Sequence, residues 1–348
     1  MHRCLFRFAA VILSLSALPA FAQFKPLKPN PVETAGGKTP PPANEPGAVI
    51  TDSGAIISMD VEVVNVFASV RDKHGRFINN LTKDDFALKE DGTPQEIKYF
   101  ASESNLPLTL GIIFDVSVSQ ENLIEEEKRS AKAFIDSVIG PKDLAFVISF
   151  GPDSRLEQDL TSSKSLLARA IDRMEVRGGV YSPVTPGTNP NGTPRGTVLY
   201  DSVYVAAKDM LRNPVGRKAI ILLTDGVDQG SKVEIDEALR EAQLSDVVIY
   251  SIFHFDPSFQ PFMRGTADYD LGKMAKETGG TLFKPKRNQP LSVFFNEIQE
   301  QLRNQYSIGY TPKSQKTDRE YHKIDLDTTT KGLKVQTRRG YYSEKSAN

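Results

Sequence analysis

Cysteine and histidine are scarce in the 348-residue sequence, which has one cysteine and four histidines. Cys4 lies in an N-terminal segment that we expect to be removed, so the mature chain is predicted to contain no disulfide and no thiolate chemistry. The histidines are scattered, and no His-x-x-x-His pair or Gly-x-Ser-x-Gly segment occurs. These are the usual signatures of zinc and serine hydrolases, so we predict that the protein is not an enzyme.

Three consecutive glutamates, Glu125, Glu126 and Glu127, form the densest run of acidic residues in the chain. They fall within a predicted helix, where consecutive side chains point in different directions. A shared acid-base role would need them on one face, so we expect all three to be solvated.

The sequence also lacks an excess of charge of one sign. It has 43 Lys and Arg against 44 Asp and Glu, for a formal net charge of −1. Such a balance gives no overall field that would attract nucleic acid or an anionic membrane. We therefore predict no nucleic-acid partner.

Long apolar runs are missing except near the N-terminus. Two arginines precede the apolar segment 8–20, and the sequence AFA at 20–22 matches the small-x-small pattern of a signal-peptidase site. The segment is shorter than the ~20 residues that a membrane-spanning helix needs. We predict a signal peptide at 1–22 and a mature protein in the periplasm or outside the cell, with no transmembrane segment after cleavage.

The segments on either side of the central region differ from it in pattern. Residues 23–57 are rich in proline and predict an extended, disordered linker. Residues 58–103 and 305–343 alternate apolar and polar side chains, which is typical of half-exposed antiparallel strands. Each is too short to enclose a core alone. We predict that they pair into one small β-sandwich, with two separate appendages as the alternative, and that 344–348 is a tail.

Residues 104–304 alternate predicted strands and helices. LPLTLGIIFD and KAIILLTDG are typical of strands buried on both faces, and ENLIEEEKRSAKAFIDSVI is an amphipathic helix. This alternation predicts a doubly wound, mostly parallel α/β sheet with helices on both faces. The α/β domain would then be inserted in, or flanked by, the β-sandwich.

Small oxygen-bearing side chains follow two of these buried strands. The first strand ends in DVSVS, which contains Asp115, Ser117 and Ser119, and the second ends at Asp225. Ligands bind outside the carboxyl ends of strands in open α/β sheets, and hard cations prefer oxygen ligands. Thr197 begins a predicted helix after a glycine-rich loop. Helix caps and a turn would explain the same residues, so both interpretations remain open from local pattern alone.

Taken in order, these five residues resemble the metal-ion-dependent adhesion site of the von Willebrand factor type A domain, which is Asp-x-Ser-x-Ser followed by a Thr and an Asp. The flanks resemble a bacterial secreted group called VWFA-related (acidobacterial type). The resemblance implies that the three hydroxyls bind a divalent cation directly, while the two aspartates bind through water. The metal residues are then Asp115, Ser117, Ser119, Thr197 and Asp225.

Mg²⁺ suits such a mixed shell of protein oxygens and water, with Mn²⁺ and Ca²⁺ as alternatives. Integrin-type relatives carry an adjacent second metal site, which we do not expect here because Asn122 and Leu123 follow the serines. The long loop 177–196 leads into Thr197 and is either a rim of the site or a solvated insertion. The candidates for the rim or for partner contact are Arg177, Tyr181, Arg195 and Asp228.

The combined prediction is a secreted or periplasmic module for metal-dependent protein binding or adhesion. Its partner would be a protein that offers an Asp or Glu carboxylate to the cation. A structural envelope or scaffold subunit with a purely structural metal is the alternative, and a hydrolase is the less favoured one.

Overall fold

The computed structural model describes residues 48–50, 56–58, 63–102, 106–178, 196–258, 267–313 and 320–343. The predictions for the signal peptide 1–22, the tail 344–348, Tyr181 and Arg195 lie outside these residues. The chain divides into two units, Met1–Ser58 and Met59–Asn348. In the first, strands β1 (Ala48–Ile50) and β2 (Ile56–Ser58) pair antiparallel, a feature that the linker prediction for 23–57 did not include.

The second unit contains a six-stranded sheet and two four-stranded sheets. Its strands are β3 (Val64–Arg71), β4 (Phe86–Glu90), β5 (Thr93–Pro94), β6 (Tyr99–Ser102), β7 (Leu108–Asp115), β8 (Leu144–Phe150), β9 (Ser154–Thr161), β10 (Arg217–Thr224), β11 (Val247–Phe253), β12 (Leu282–Phe283), β13 (Gln305–Tyr310), β14 (Tyr321–Thr328), β15 (Lys334–Thr337) and β16 (Gly340–Tyr342).

Helices cover both faces of the six-stranded sheet. They are α1 (Ile124–Val138), α2 (Lys164–Arg173), α3 (Leu199–Val205), α4 (Ile235–Leu244), α5 (Ala267–Thr278) and α6 (Ser292–Arg303). Helices α1, α2 and α6 share one apolar cluster with the sheet, and α3, α4 and α5 share another. Within the described residues, no helix combines the length and the apolar character of a membrane span.

The six-stranded sheet has the order β12-β11-β10-β7-β8-β9. Only β9 runs antiparallel, against β8, while the other neighbours are parallel. All eight residues of β7 are buried, as expected of a central strand covered on both faces. The carboxyl ends of β7 and β10 therefore lie side by side, with Leu223 opposite Phe114. The doubly wound α/β prediction is confirmed.

Sequence pattern alone does not predict β9. Its sequence SRLEQDLT is mostly polar, and no residue in it is fully buried. An edge strand of this kind has neither the apolar run of a central strand nor a clean alternation. The strand is defined instead by pairing with β8, which depends on tertiary contact.

Both flanks contribute strands to both four-stranded sheets. The first sheet has the order β15-β3-β13-β6 and the second has the order β16-β14-β4-β5. Val66 of the N-terminal flank lies opposite Ile308 of the C-terminal flank, and Leu88 lies opposite Leu326. The buried side chains of the two sheets form one apolar cluster. The flanks are therefore one β-sandwich rather than two appendages.

Polar contacts join the β-sandwich to the α/β domain. The Gln336 amide donates to the carbonyl oxygens of Gly279 and Gly280 at 3.0 and 2.8 Å. The Arg338 guanidinium donates to Asp246 Oδ1 at 2.5 Å. These contacts lie beside helix α5 and the start of β11, away from the carboxyl ends of β7 and β10.

Candidate metal centre

Asp115 is the last residue of β7 and has no exposed surface. Its Oδ1 accepts the backbone N–H of Ser117 at 2.9 Å, and its Oδ2 accepts the hydroxyl of Thr224 at 2.7 Å. Thr224 ends the neighbouring strand β10. The carboxylate is therefore fixed between two strand ends by hydrogen bonds to neutral donors.

The hydroxyls of Ser117 and Ser119 lie 3.0 Å apart and hydrogen bond each other. Ser117 is the N-cap of a short 3-10 helix at Val118–Gln120, but its side chain makes no capping hydrogen bond. Ser163 provides the contrast, because its hydroxyl accepts the N–H of Leu166 at the start of α2. The helix-cap interpretation of DVSVS therefore does not account for the side-chain oxygens, which face each other instead.

Asp225 follows β10 and lies against the loop that carries Ser117 and Ser119, called the serine loop below. Its Oδ1 accepts the N–H of Val227 at 3.2 Å. The Ser119 hydroxyl and the Gln120 side-chain amide lie close enough to this carboxylate to lower its pKa, in part against the effect of burial. The ends of β7 and β10 thus bring Asp115, Ser119 and Asp225 together at one edge of the sheet.

Backbone contacts place Thr197 at the same edge of the sheet. Its carbonyl oxygen accepts the N–H groups of Gln229 and Gly230 at 3.0 and 3.1 Å. The next residue, Val198, donates its N–H to the carbonyl oxygen of Gly151. Gly151 in turn lies beside Ser117, since a Cβ added to it would be in van der Waals contact with the Ser117 nitrogen at 3.7 Å. Val198 rather than Thr197 is the N-cap of α3. Thr197 is therefore held between the loop after Asp225 and the loop that carries the serines.

Burial and mutual repulsion make the two aspartates weak acids. Burial, followed by the charge of Asp225, raises the pKa of Asp115 to about 8. Burial also raises the pKa of Asp225 above its ordinary value. Among the described residues, the groups that shift these two pKa values include no Lys and no Arg. A bound divalent cation would supply the missing positive charge and favour both ionised carboxylates.

The donor atoms fit a hard divalent cation. The five residues offer two carboxylates and three hydroxyls, without the imidazole and thiolate ligands that zinc and copper favour. Mg²⁺, Mn²⁺ and Ca²⁺ all accept such oxygen sets, and Mg²⁺ keeps several of its waters. Asp115, Ser117, Ser119, Thr197 and Asp225 would hold the ion.

Two of the residues predicted for the rim are engaged within the domain. The Arg177 side chain is 16% exposed, and its guanidinium donates to the Ser149 hydroxyl at 3.0 Å. The Arg177 backbone N–H also donates to the Val116 carbonyl at 2.6 Å. Arg177 therefore ties the β8–β9 hairpin to the serine loop, and its charge is turned away from solvent.

Asp228 supports the start of helix α3. It accepts the N–H of Tyr200 at 3.2 Å and the hydroxyl of Ser231 at 2.5 Å. A carboxylate at a helix N-terminus is favourable because the first N–H groups lack helical partners. Asp228 thus holds the loop that follows Asp225 against α3.

Sequence reasoning missed four residues around the centre, namely Gln120, Glu127, Thr224 and His254. The expectation that Glu127 is solvated is wrong, because the side chain has no exposed surface and contacts His254. Thr224 has a usable signal, since it is the last strand residue before Asp225. The other three have none, because their contacts join segments more than 100 residues apart.

No protein-family model matches the sequence, and no curated protein matches it. Similar solved structures include BatB, a conserved hypothetical protein from Bacteroides thetaiotaomicron, with 18% identity, a TM-score of 0.41, and coverage of 56% of this chain and 97% of that one. A von Willebrand factor type A protein from Catenulispora acidiphila has 14% identity, a TM-score of 0.44, and coverage of 76% and 74%.

Proximal thread matrix protein 1 from the mussel byssus, solved with a zinc-occupied MIDAS motif, is 17% identical with a TM-score of 0.46. The match covers 62% of this chain and half of that one. At such identities the similarity is one of fold alone. In this chain, however, the motif residues stand in order along the sequence and meet at the carboxyl edge of a doubly wound sheet. The chain therefore has a doubly wound α/β fold, and its motif residues stand in an order that resembles the metal-ion-dependent adhesion site of von Willebrand factor type A domains.

Proposed function

We propose that the protein is an exported, metal-dependent protein-binding module that captures a partner carboxylate through a divalent cation. The observation that carries this proposal is the pair of carboxylates formed by the buried Asp115 and the partly buried Asp225, which repel each other beside two hydroxyls. Burying two like charges is costly unless a cation compensates them. The arrangement is therefore best explained as one half of a metal site.

The partner completes the other half. The hydroxyls of Ser117, Ser119 and Thr197 would bind the ion directly, with the two aspartates acting through water. Neutral hydroxyls leave the ion with residual positive charge, and a water on the open side can be replaced by an incoming carboxylate. An Asp or Glu side chain of another protein has the charge and the hard oxygen that this position favours.

We propose Mg²⁺ as the ion, with Mn²⁺ and Ca²⁺ as alternatives. The zinc-occupied site of the mussel protein supports a divalent cation in a site of this type. The predicted signal peptide and the flanks that resemble a bacterial secreted group support function in the periplasm or outside the cell.

We propose binding rather than catalysis at this centre. Within the described part of the chain, the two serine hydroxyls hydrogen bond each other, and no hydrogen bond joins either of them to a histidine. A serine nucleophile needs a base within hydrogen-bond reach. A metal that only stiffens the loops is the competing role, and the experiment below separates the two.

The test measures metal and carboxylate binding separately. Mn²⁺ is titrated calorimetrically into the mature chain, and water-proton relaxation of the Mn²⁺ complex is then followed as acetate or a glutamate-containing peptide is added. We expect about one site and a fall in relaxation as carboxylate displaces bound water. Asp172→Ala is the control for loss of a carboxylate elsewhere, and it should behave as the wild type does. Asp172 is an exposed carboxylate of α2 that pairs with Lys132.

Three outcomes have distinct meanings. Binding of Mn²⁺ with loss of metal-bound water supports the proposal. Binding of Mn²⁺ with no response to any carboxylate supports a structural metal instead. Absence of both Mg²⁺ and Mn²⁺ binding at millimolar concentration rejects the metal centre.

A further inference from the structure

Behind the metal centre lies a pair of side chains in hydrogen-bond contact, Glu127 and His254, that the proposed function does not use. Glu127 of helix α1 has no exposed surface, and its Oε1 lies 2.8 Å from Nδ1 of His254. His254 follows strand β11, so the pair joins a helix to the end of a strand. The two residues are 127 positions apart in the chain.

His254 makes contact with three separate segments. Its backbone N–H donates to the carbonyl of Thr224 at 3.0 Å, and its own carbonyl accepts the Gln120 side-chain amide at 3.4 Å. The imidazole ring provides the third contact, to Glu127. The residue therefore links the end of β10, the loop after β7 and helix α1.

Two of these contacts lead directly to metal residues. Gln120 follows Ser119, and its amide lies close enough to Asp225 to lower the pKa of that carboxylate. The Thr224 hydroxyl donates to Asp115 and accepts the N–H of Gly226 at 2.9 Å. A shift of His254 would thus move supports of both carboxylates.

Stability alone does not account for this pair. Among the described residues, Oε2 of Glu127 and Oε1 of Gln120 are buried without a hydrogen-bond partner. Unsatisfied buried polar atoms are unfavourable, and well-packed apolar residues are often as stable as a buried ion pair, or more so. A polar cluster that remains unsatisfied behind a binding site therefore points to a role in that site.

We propose that Glu127 and His254 are positioning residues that set the geometry of the metal centre through Gln120 and Thr224. This inference rests on the proposed metal site. The imidazole is held by Glu127, and the backbone of residue 254 in turn fixes the Gln120 amide and the end of β10. The pair acts behind the ligands and does not touch the ion.

The test compares Mn²⁺ affinity across three variants of the mature chain. The double variant Glu127→Met with His254→Phe keeps the buried volume but removes the hydrogen bond. His254→Asn keeps a side-chain N–H donor for Glu127. Glu241→Met is the control, because Glu241 is a buried carboxylate that pairs with Arg212 at 2.7 Å, far along α4 from the centre.

We expect the double variant to bind Mn²⁺ at least about tenfold more weakly, the range found for residues behind metal ligands. Its melting temperature in chelator should stay close to that of the wild type, whereas the stabilisation by Mn²⁺ should shrink. His254→Asn should bind Mn²⁺ with most of the wild-type affinity, because it keeps the N–H donor. Glu241→Met should bind Mn²⁺ as the wild type does.

Equal affinity of the wild type and the double variant overturns the inference while leaving the metal site intact. Failure of the wild type to bind metal overturns both, so the two failures are distinguishable. If the double variant does not fold, the comparison of His254→Asn with His254→Ala decides. Equal affinities in those two variants would also overturn the inference.

Discussion

The β-sandwich and the α/β domain each bury a carboxylate, but they satisfy it in opposite ways. In the sandwich, Glu90 Oε2 accepts the hydroxyls of Tyr310 and Tyr341 at 2.5 and 3.0 Å. His322 lies beside it, with Nδ1 at 3.9 Å from Glu90 and 2.8 Å from Asp91.

At the metal centre, Asp115 receives neutral donors on both oxygens but faces a second carboxylate, Asp225. Glu90 is surrounded by groups that remain in place when the protein is alone, so its contacts contribute to the fold. Glu90 also has a carboxylate nearby, that of Asp91, but the His322 imidazole contacts both. No basic side chain is among the groups that shift the pKa of Asp115 or of Asp225 in the described residues, so a cation would have to come from outside the chain. Burial alone does not mark a functional carboxylate, whereas burial next to a like charge with no basic group in contact is a stronger indication.

The largest expected difference between the two regions concerns Asp115→Ala. This variant should lose detectable Mg²⁺ binding and, with it, any metal-dependent capture of carboxylate. In chelator its free energy of unfolding should change by less than about 1 kcal/mol, because the lost hydrogen bonds are offset by relief of repulsion with Asp225. Calorimetry and urea unfolding measure the two effects. Undiminished Mg²⁺ binding would mean that DVSVS is not a metal motif.

The opposite behaviour is expected of Glu90→Ala. Removal of this carboxylate leaves two buried tyrosine hydroxyls without their acceptor, so the protein should lose about 3 kcal/mol of stability. Urea unfolding with and without Mg²⁺ should show the same loss, while Mg²⁺ affinity in the folded protein stays unchanged. A stability loss below about 1 kcal/mol would contradict the view that this cluster supports the fold.

The pH dependence of stability should separate the regions further. The pKa of Asp115 is raised to about 8 in the folded chain. The folded state therefore binds more protons than the unfolded state, and metal-free stability should fall as the pH rises from about 4 to about 8. Mg²⁺ should remove most of this fall, because it favours the ionised carboxylates. Melting curves in Mg²⁺ and in chelator should diverge with rising pH, and parallel curves would rule out this coupling.

The smallest effect is expected for Thr197→Ala. Water can replace a single neutral hydroxyl in the coordination shell, so Mg²⁺ affinity should weaken by only about tenfold. The stability of the metal-free protein should not change measurably, because Val198 rather than Thr197 caps helix α3. A loss as complete as that of Asp115→Ala would show that Thr197 does more than supply one ligand.

The parts that the sequence predicted well are those with a local signal. The apolar run that ends at Asp115 and the one that ends before Asp225 mark two buried strands, and parallel strands place their ends together. Pairing of the two flanks followed from their size, since neither could enclose a core alone.

The parts that the sequence did not reveal depend on distant neighbours. Glu125, Glu126 and Glu127 look equivalent along the chain, yet only Glu127 faces His254, which follows β11. From the sequence, Arg177 is a candidate for the rim, whereas in the structure its side chain contacts Ser149 and Glu157 of the β8–β9 hairpin. In both cases a segment distant in sequence buries the charged side chain, and local sequence patterns do not predict where such a segment lies.

The pairing of β6 with β13 bears on the order in which the protein folds. Ser102, where the chain enters the α/β domain, lies opposite Tyr306, just after it leaves. Roughly 200 residues separate these two positions, and closing so long a flexible loop is entropically unfavourable. A folded α/β domain holds its own ends together and removes most of that cost. The sandwich should therefore form last, and a chain whose α/β domain is slow to fold would expose the unpaired edge of β3 to other molecules.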